Sequence, residues 1–336
     1  MQVNAYEIFM NIVMETLESV IYLAKNEGRK LKPTRNEGDV KHDNLPYFEV
    51  VNPAFVKGYN YEKHDNAPRM SFIESLMPVV LQNISDKSAM RNMFFNIELH
   101  DTYSYLEKFK TQNMYDNCLV WSKRKFDTNV ILLPDVYHIS NYGGKLNFVD
   151  GKIWDAKKNK IGFWGTTTGD VNPARNQRIQ TCLWGLDRRD FTDFYITNIA
   201  QIKPEDILRV VPNFEKIVTK YKTQEEMLDY KFLLDIPGNT CSWDRVPSIM
   251  SSNSLLFKMP CQDVCFYYPM MHDGVHFVQV DETTMRDKFT YYMNNPKEVQ
   301  FIIENAKRFA KKIFNQNAAL LYMKYLFEES FTWNAP

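Results

Sequence analysis

The chain is 336 residues long, and its 41 Lys plus Arg are matched by 41 Asp plus Glu, so its formal net charge is zero. That length exceeds the usual span of one core and points to two domains, while the balanced charge excludes a global field for nucleic acid or an anionic membrane; a basic site has to be local. The five cysteines, Cys118, Cys182, Cys241, Cys261 and Cys265, are odd in number and lack CxxC spacing, which argues against a disulfide framework or a structural zinc and favours a reducing compartment.

The first predicted element is an amphipathic helix over 5–30. Its apolar positions recur at helical spacing while Glu7, Glu15 and Glu18 interrupt the run, so it reads as part of the fold and not as a signal peptide or membrane anchor. No other window is apolar enough to span a bilayer, and a soluble protein is expected. A charged loop over 28–46 follows. Then YFEVV reads as a short strand, 71–82 as a helix with Pro78 near its end, and MFFNIEL as a strand that delivers His100 and Asp101. Two further short strands are expected at 118–122 and 129–133, and the Asn-, Gly-, Asp- and Lys-rich 140–160 is the expected domain boundary.

The alternation restarts more clearly beyond it. A strand is expected over 160–164, a turn at Gly165–Gly169, and then a helix opening on Asn172-Pro173 as cap and first-turn proline. Next come a strand at 191–197, helices at 203–210 and 224–230, and the stretch YKFLLDIPGNTCSWDRVPSIMSSNSLLFK over 230–258. That stretch reads as strand, turn, helix, strand, with Arg245 on the first turn of its helix. VHFVQV is a last strand, and two helices, from about Thr283 and from Pro296, close the chain. Strands alternating with helices in two runs predict an α/β protein of two lobes, parallel sheets wrapped by helices, with a cleft between them.

Three clusters fall just after strands. Asp101 beside His100 is placed to act as a general base, although an isolated Asp after a strand more often caps a turn or helix. Thr166, Thr167 and Thr168, followed by Gly169, offer hydroxyl and backbone donors to a diphosphate, with Arg178 within reach of the same charge; the other reading is a capped helix start. Gly238 and Asn239 turn the chain toward Arg245, whose planar donor fork suits phosphate, and the plain alternative is a simple turn and a solvated helix end. Neither a GxxxxGK[ST] loop nor a GxGxxG fingerprint is present. Metal chemistry has little support, since there is no HExxH and no Asp-x-Asp pair, and the four-residue spacing of His272 and His276 spans Asp273-Gly274, a turn signal.

Taken in order, these segments resemble glycosyltransferase family 90. GNTCSWDRVPSIMSSNSLLFK followed by FYYP and VHFVQV is similar to the family's C-terminal signature, and FWGTTTG, NQRIQTCL, DFTDFYIT and YKFLLDIPGN resemble the pieces that precede it. More loosely, FFNIELHDTYS and LVWSKRKFDTNVILLPD resemble its strand ending in a catalytic Asp and the segment after it. The resemblance spans roughly 90–325. It implies a GT-B architecture of two Rossmann-like lobes: an acceptor lobe over 1–150, a nucleotide-sugar lobe over 151–310, and a terminal helix over 311–336 packing back on the first lobe. It further implies an inverting transfer of xylose or glucose from a UDP-sugar to a hydroxyl of a glycan acceptor, with no cofactor and no metal. Asp101 is then the base, Ser242 and Arg245 contact the donor, and Arg245 and Arg178 offset the diphosphate charge. Three places depart from the family pattern: Trp164 stands where many members have Arg, Cys265 where they often have Glu, and Asp273-Gly274 near where a Pro usually precedes the histidine strand. The expected partners are the UDP-sugar and the glycan, with no nucleic acid and no membrane span. Without a secretory signal or a KDEL-type ending, a cytoplasmic enzyme is expected, in the host cytoplasm for a viral protein. A non-catalytic glycan- or nucleotide-binding protein on the same fold is the alternative.

Overall fold

The structure, a computed structural model, describes residues 5–31, 47–51, 54–56, 66–85, 93–101, 118–144, 146–147 and 149–333. In chain order its elements are α1 (Ala5–Lys30), β1 (Tyr47–Val51), β2 (Ala54–Val56), α2 (Met70–Gln82), β3 (Met93–Asn96), β4 (Leu119–Val120), β5 (Lys123–Arg124), β6 (Ile131–Leu132), α3 (Val136–Ile139), β7 (Lys158–Thr166), α4 (Gln177–Leu186), β8 (Thr192–Asn198), α5 (Pro204–Val210), α6 (Gln224–Met227), β9 (Tyr230–Asp235), α7 (Arg245–Met250), β10 (Leu255–Lys258), β11 (Asp263–Val264), β12 (Val278–Gln279), α8 (Met285–Asn294), α9 (Pro296–Ile313) and α10 (Gln316–Trp333). The chain divides into two units, one of 1–143, 263–270 and 312–336, the other of 144–262 and 271–311.

In the first unit β1 pairs antiparallel with both β2 and β3. Just past β3, Ile97 bridges to Leu119 of β4 in parallel, and β4 runs parallel to β6. A single bridge thus links the parallel pair β4-β6 to the antiparallel β2-β1-β3 sheet. Phe48, Phe95, Phe327 and Phe331 stack against one another beneath it, with Phe95 and Phe327 edge to face at 5.3 Å. Each such ring, buried, contributes about 1.5–3 kcal/mol. A small antiparallel pair, β5 with β11, lies outside this sheet and has no counterpart in the predicted elements.

The second unit is a parallel five-stranded sheet in the order β12-β10-β9-β7-β8. β9 is central, and all six of its residues are buried, which is why its sequence is a nearly continuous apolar run instead of an alternation. Phe163, Phe194, Phe232 and Phe257 from four strands meet Ile179 of α4 and Ile302 and Ile303 of α9 in one core. The expected α/β class, with a parallel sheet wrapped by helices, is what this unit shows.

Several predicted boundaries move. The helix after β7 opens at Gln177, capped by Asn176, whose side chain accepts from the Ile179 N–H. Asn172, the predicted cap, instead turns on itself and accepts from Ala174 N–H at 3.0 Å. α6 stops at Met227, well short of 230, because Tyr230 is already committed to the sheet. The C-terminal helical stretch breaks at Phe314 and Asn315, giving a third helix, α10. No described helix is long and apolar enough to cross a membrane.

Candidate functional site

Numbered from β7, the five parallel strands are ordered second, first, third, fourth, fifth. The chain leaves β7 for β8 on one side and climbs through β9, β10 and β12 on the other. The carboxyl ends of β7 and β9 therefore flank a topological switch point, where open α/β sheets bind their ligands. Nine of the ten residues singled out in the sequence leave from these two ends or from the helices that follow. Asp101 is the exception and belongs to the first unit.

The loop after β7 is pinned from below. Thr167 is fully buried, and its hydroxyl donates to Ala200 C=O while accepting from Ala200 N–H, both at 2.9 Å. That hydroxyl has its partners inside the fold, so Thr167 holds the loop to the end of β8 and the reading of its side chain as a diphosphate donor is revised. Asn176, also fully buried, gives its amide hydrogens to Thr167 C=O and Asp170 C=O at 3.0 and 2.9 Å. Gly169 sits at φ +125°, a conformation that side-chain-bearing residues rarely adopt. Its N–H is directed at Asn239 Oδ1 (3.1 Å) and Gln201 Oε1 (3.3 Å).

Arg178, on the first turn of α4, joins this loop to the one after β9. Nε and Nη2 both donate to Ile236 C=O at 3.1 Å, and Nη1 donates to Thr166 C=O at 3.0 Å and Thr168 Oγ1 at 2.7 Å. Gly238 lies directly against it: a Cβ there would stand 2.6 Å from Thr168 Oγ1 and 2.9 Å from Arg178 Nη2. Burial, and after it the like charge of Arg245, bring the Arg178 pKa down to about 9, still charged at neutral pH. Arg178 thus supplies fixed positive charge from within, with most of its donors already placed.

Arg245 is different. At the start of α7 its Nη2 donates to Trp164 C=O at 3.0 Å, and its guanidinium lies over the Phe163 ring, 4.7 Å from the centroid. The close approach requires Gly165, where a Cβ would stand 3.1 Å from Nη2. Nη1 is buried with no hydrogen-bond partner among the described residues, and so is the hydroxyl of Ser242, three residues earlier. Unmet donors of this kind are costly unless a ligand or water completes them. Beneath them Asp235, wholly buried at the end of β9, pairs with Lys258 of β10 at 3.4 Å. The Trp164 ring is buried edge-on against Tyr230, at 4.8 Å, and Cys265 is buried in the first unit.

In the first unit, Asp101 follows β3. Its Oδ1 accepts from Arg69 Nη2 at 2.6 Å, Arg69 Nη1 donates to Leu99 C=O at 2.7 Å, and Ser122 Oγ donates to the Asp101 C=O at 2.8 Å. The Asp101 side chain is 36% exposed. Its neighbour His100 is held by the buried Glu98, Nδ1 to Oε1 at 2.6 Å, and faces a different partner. Sequence reasoning missed Arg69, Asn176 and Gln201. Asn176 carries a readable signal, an Asn immediately before an apolar helical run; Arg69 and Gln201 are brought in by tertiary folding alone.

Residues 152–331, more than half of the chain, match the model of glycosyl transferase family 90. The chain belongs to glycosyl transferase family 90. No curated protein matches the sequence. Among solved structures, the C-terminal domain of a glycosyl transferase group 1 family protein (LpcC) from Francisella tularensis is 11% identical over 55% of this chain and 96% of its own, with a TM-score of 0.32. TarM is 14% identical over 60% of this chain and 40% of its own, with a TM-score of 0.39. Sucrose-phosphate synthase from Thermosynechococcus elongatus is 10% identical over 76% of this chain and 66% of its own, with a TM-score of 0.40. Membership rests on the family match, which covers every strand of the parallel sheet and both loops of its switch point. Glycosyl transfer is the activity class that the family carries.

Proposed function

We propose that this family 90 protein is a GT-B enzyme that transfers xylose or glucose from a UDP donor to a hydroxyl of a glycan acceptor, with inversion and without a metal. The supporting observation is the pair of arginines at the switch point, one buried with most of its donors engaged, the other keeping an Nη1 that, like the Ser242 hydroxyl three residues earlier, has no partner among the described residues. A diphosphate leaving group carries its charge away as the anomeric bond breaks, and donors fixed in advance stabilise that charge without reorganising. Arg245 and Ser242 contact the donor directly; Thr166, Thr168, Gly169, Gly238 and Asn239 shape the loops around it, and Arg178 adds charge behind them. In a single displacement the acceptor hydroxyl attacks the anomeric carbon opposite UDP, its proton passes to the Asp101 carboxylate, and the configuration inverts. Arg69 fixes the rotamer of that carboxylate through Oδ1.

One paired experiment separates the two roles. Asp101→Asn should cut transfer from UDP-xylose or UDP-glucose by at least about a hundredfold and leave UDP affinity unchanged. Arg245→Ala should weaken UDP binding by about ten- to a hundredfold in calorimetry. Full transfer by the first variant removes Asp101 as the base, and unchanged UDP affinity in the second removes Arg245 from the donor site.

A further inference from the structure

The loop that follows β8 is tied to the switch point by bonds that the diphosphate reading does not use. Ala200 exchanges two hydrogen bonds with Thr167, and Gln201 Oε1 accepts from Gly169 N–H at 3.3 Å. Gln201 holds a left-handed backbone, φ +67°, at an exposed position. Strain of this kind in a residue with a side chain persists where surrounding contacts impose it, and it gathers at functional sites. Because the Gly169 N–H can only donate, the Gln201 amide must turn its oxygen inward and its NH2 outward. Among the described residues nothing accepts from that NH2. Ile199, two residues earlier, is partly buried against the core and partly exposed.

A nucleotide whose diphosphate sits between the ends of β7 and β9 must extend its nucleoside to one flank. On the β10 flank the groups nearest the sheet are engaged with one another: Lys258 with Asp235, and the Thr181 hydroxyl with Glu282 at 2.7 Å. The β8 flank offers an apolar side chain and an oriented amide, and in doubly wound sheets the strand next to the first one carries the nucleoside contact.

We infer that Gln201 is a specificity residue of the donor site, its outward NH2 donating to the C4 carbonyl of the donor's uracil base. The inference rests on the UDP-sugar reading above and adds which residue selects the nucleobase. Uracil presents two carbonyls. Cytosine replaces one with an amino group, which would set donor against donor.

Calorimetry on the full chain with UDP, CDP and 2′-deoxy-UDP tests it. The wild-type protein should prefer UDP to CDP by about tenfold or more, the value of one hydrogen bond to an otherwise unpaired group. In Gln201→Ala that ratio should fall toward one while the ratio of UDP to 2′-deoxy-UDP stays as in wild type. Gln201→Gly should show the same loss of base preference with a melting temperature above that of Gln201→Ala, since glycine relieves the left-handed backbone. An unchanged UDP-to-CDP ratio in both variants overturns the inference, as does a change confined to the 2′-deoxy comparison, which would move the contact to the ribose. Wild-type protein that binds none of the three nucleotides overturns the donor reading itself, an outcome distinct from either.

Discussion

Arg178 and Arg245 carry the same charge and differ in what remains of their hydrogen-bonding capacity. The first spends Nε and both terminal nitrogens on Ile236, Thr166 and Thr168; the second keeps a buried Nη1 without a described partner. Residue identity alone could not separate these roles, because the difference lies in which acceptors the fold brings within hydrogen-bonding distance. His276 shows the same dependence on surroundings. It sits in a turn, with its Nδ1 accepting from His272 N–H at 3.1 Å and its ring 5.0 Å from that of Phe309. Burial first, and His272 second, lower its pKa from 6.5 to about 4. Between those values the unfolded chain binds a proton that the folded one does not, so His276 withdraws stability as pH falls from about 6.5 toward 4, by up to about 3 kcal/mol. His276→Phe, which keeps a ring against Phe309, should lower the melting temperature at pH 7.5 yet flatten its decline between pH 6.5 and 4.5. A decline as steep as in wild type would show that His276 stays charged in the fold.

At the level of elements, α4 is the piece on which the switch point depends. Its cap, Asn176, closes the helix through Ile179 N–H and reaches back with its amide to two carbonyls of the preceding loop. Asn176→Ala removes a cap worth about 1 kcal/mol and strands two carbonyls, for a total of about 2–4 kcal/mol. The expected result is a lower melting temperature together with weaker UDP binding, because the loop carrying Thr168 and Gly169 loses its anchor; a variant that melts early yet binds UDP as wild type would sever that link. The strands of the second unit were legible from the sequence because β7, β8, β9 and β10 are apolar runs bounded by turn residues. The cap was misplaced because Asn172-Pro173 carries the stronger local signal while Asn176 is selected by what its amide meets in three dimensions. β5 and β11 escaped for a related reason. Their pairing, Arg124 with Asp263, joins residues far apart in sequence, and two-residue strands have no periodicity.

For the whole molecule, the sequence pattern conveys two α/β runs; the return of the terminal helix over 311–336 to the first lobe is expected only from the family resemblance, because no local pattern encodes long-range packing, and the membership of 263–270 in the first unit has no sequence signal. α10 belongs with α1 and the β1–β3 sheet: Glu329 pairs with Arg29, Ser330 Oγ donates to Leu31 C=O, and Tyr322 OH donates to Leu132 C=O. Tyr322, Met323, Leu326, Phe327 and Phe331 are all essentially inaccessible to solvent. At about 1.5–3 kcal/mol each they contribute roughly 10 kcal/mol, comparable to the whole stability of a typical domain at about 5–15 kcal/mol. A chain ending at Lys311 keeps all of 144–262 and 271–311 and loses every one of these contacts. It should therefore lose the cooperative melting of the first unit, with exposed apolar surface reported by dye binding, and with it any transfer activity. The parallel sheet and its switch point depend on none of the deleted residues, so UDP should still bind, with affinity within about threefold of wild type, a difference of well under 1 kcal/mol. Loss of UDP binding together with the first unit would show that the two units do not fold independently. An unchanged melting profile would show that α10 is dispensable and that the burial along its length contributes little.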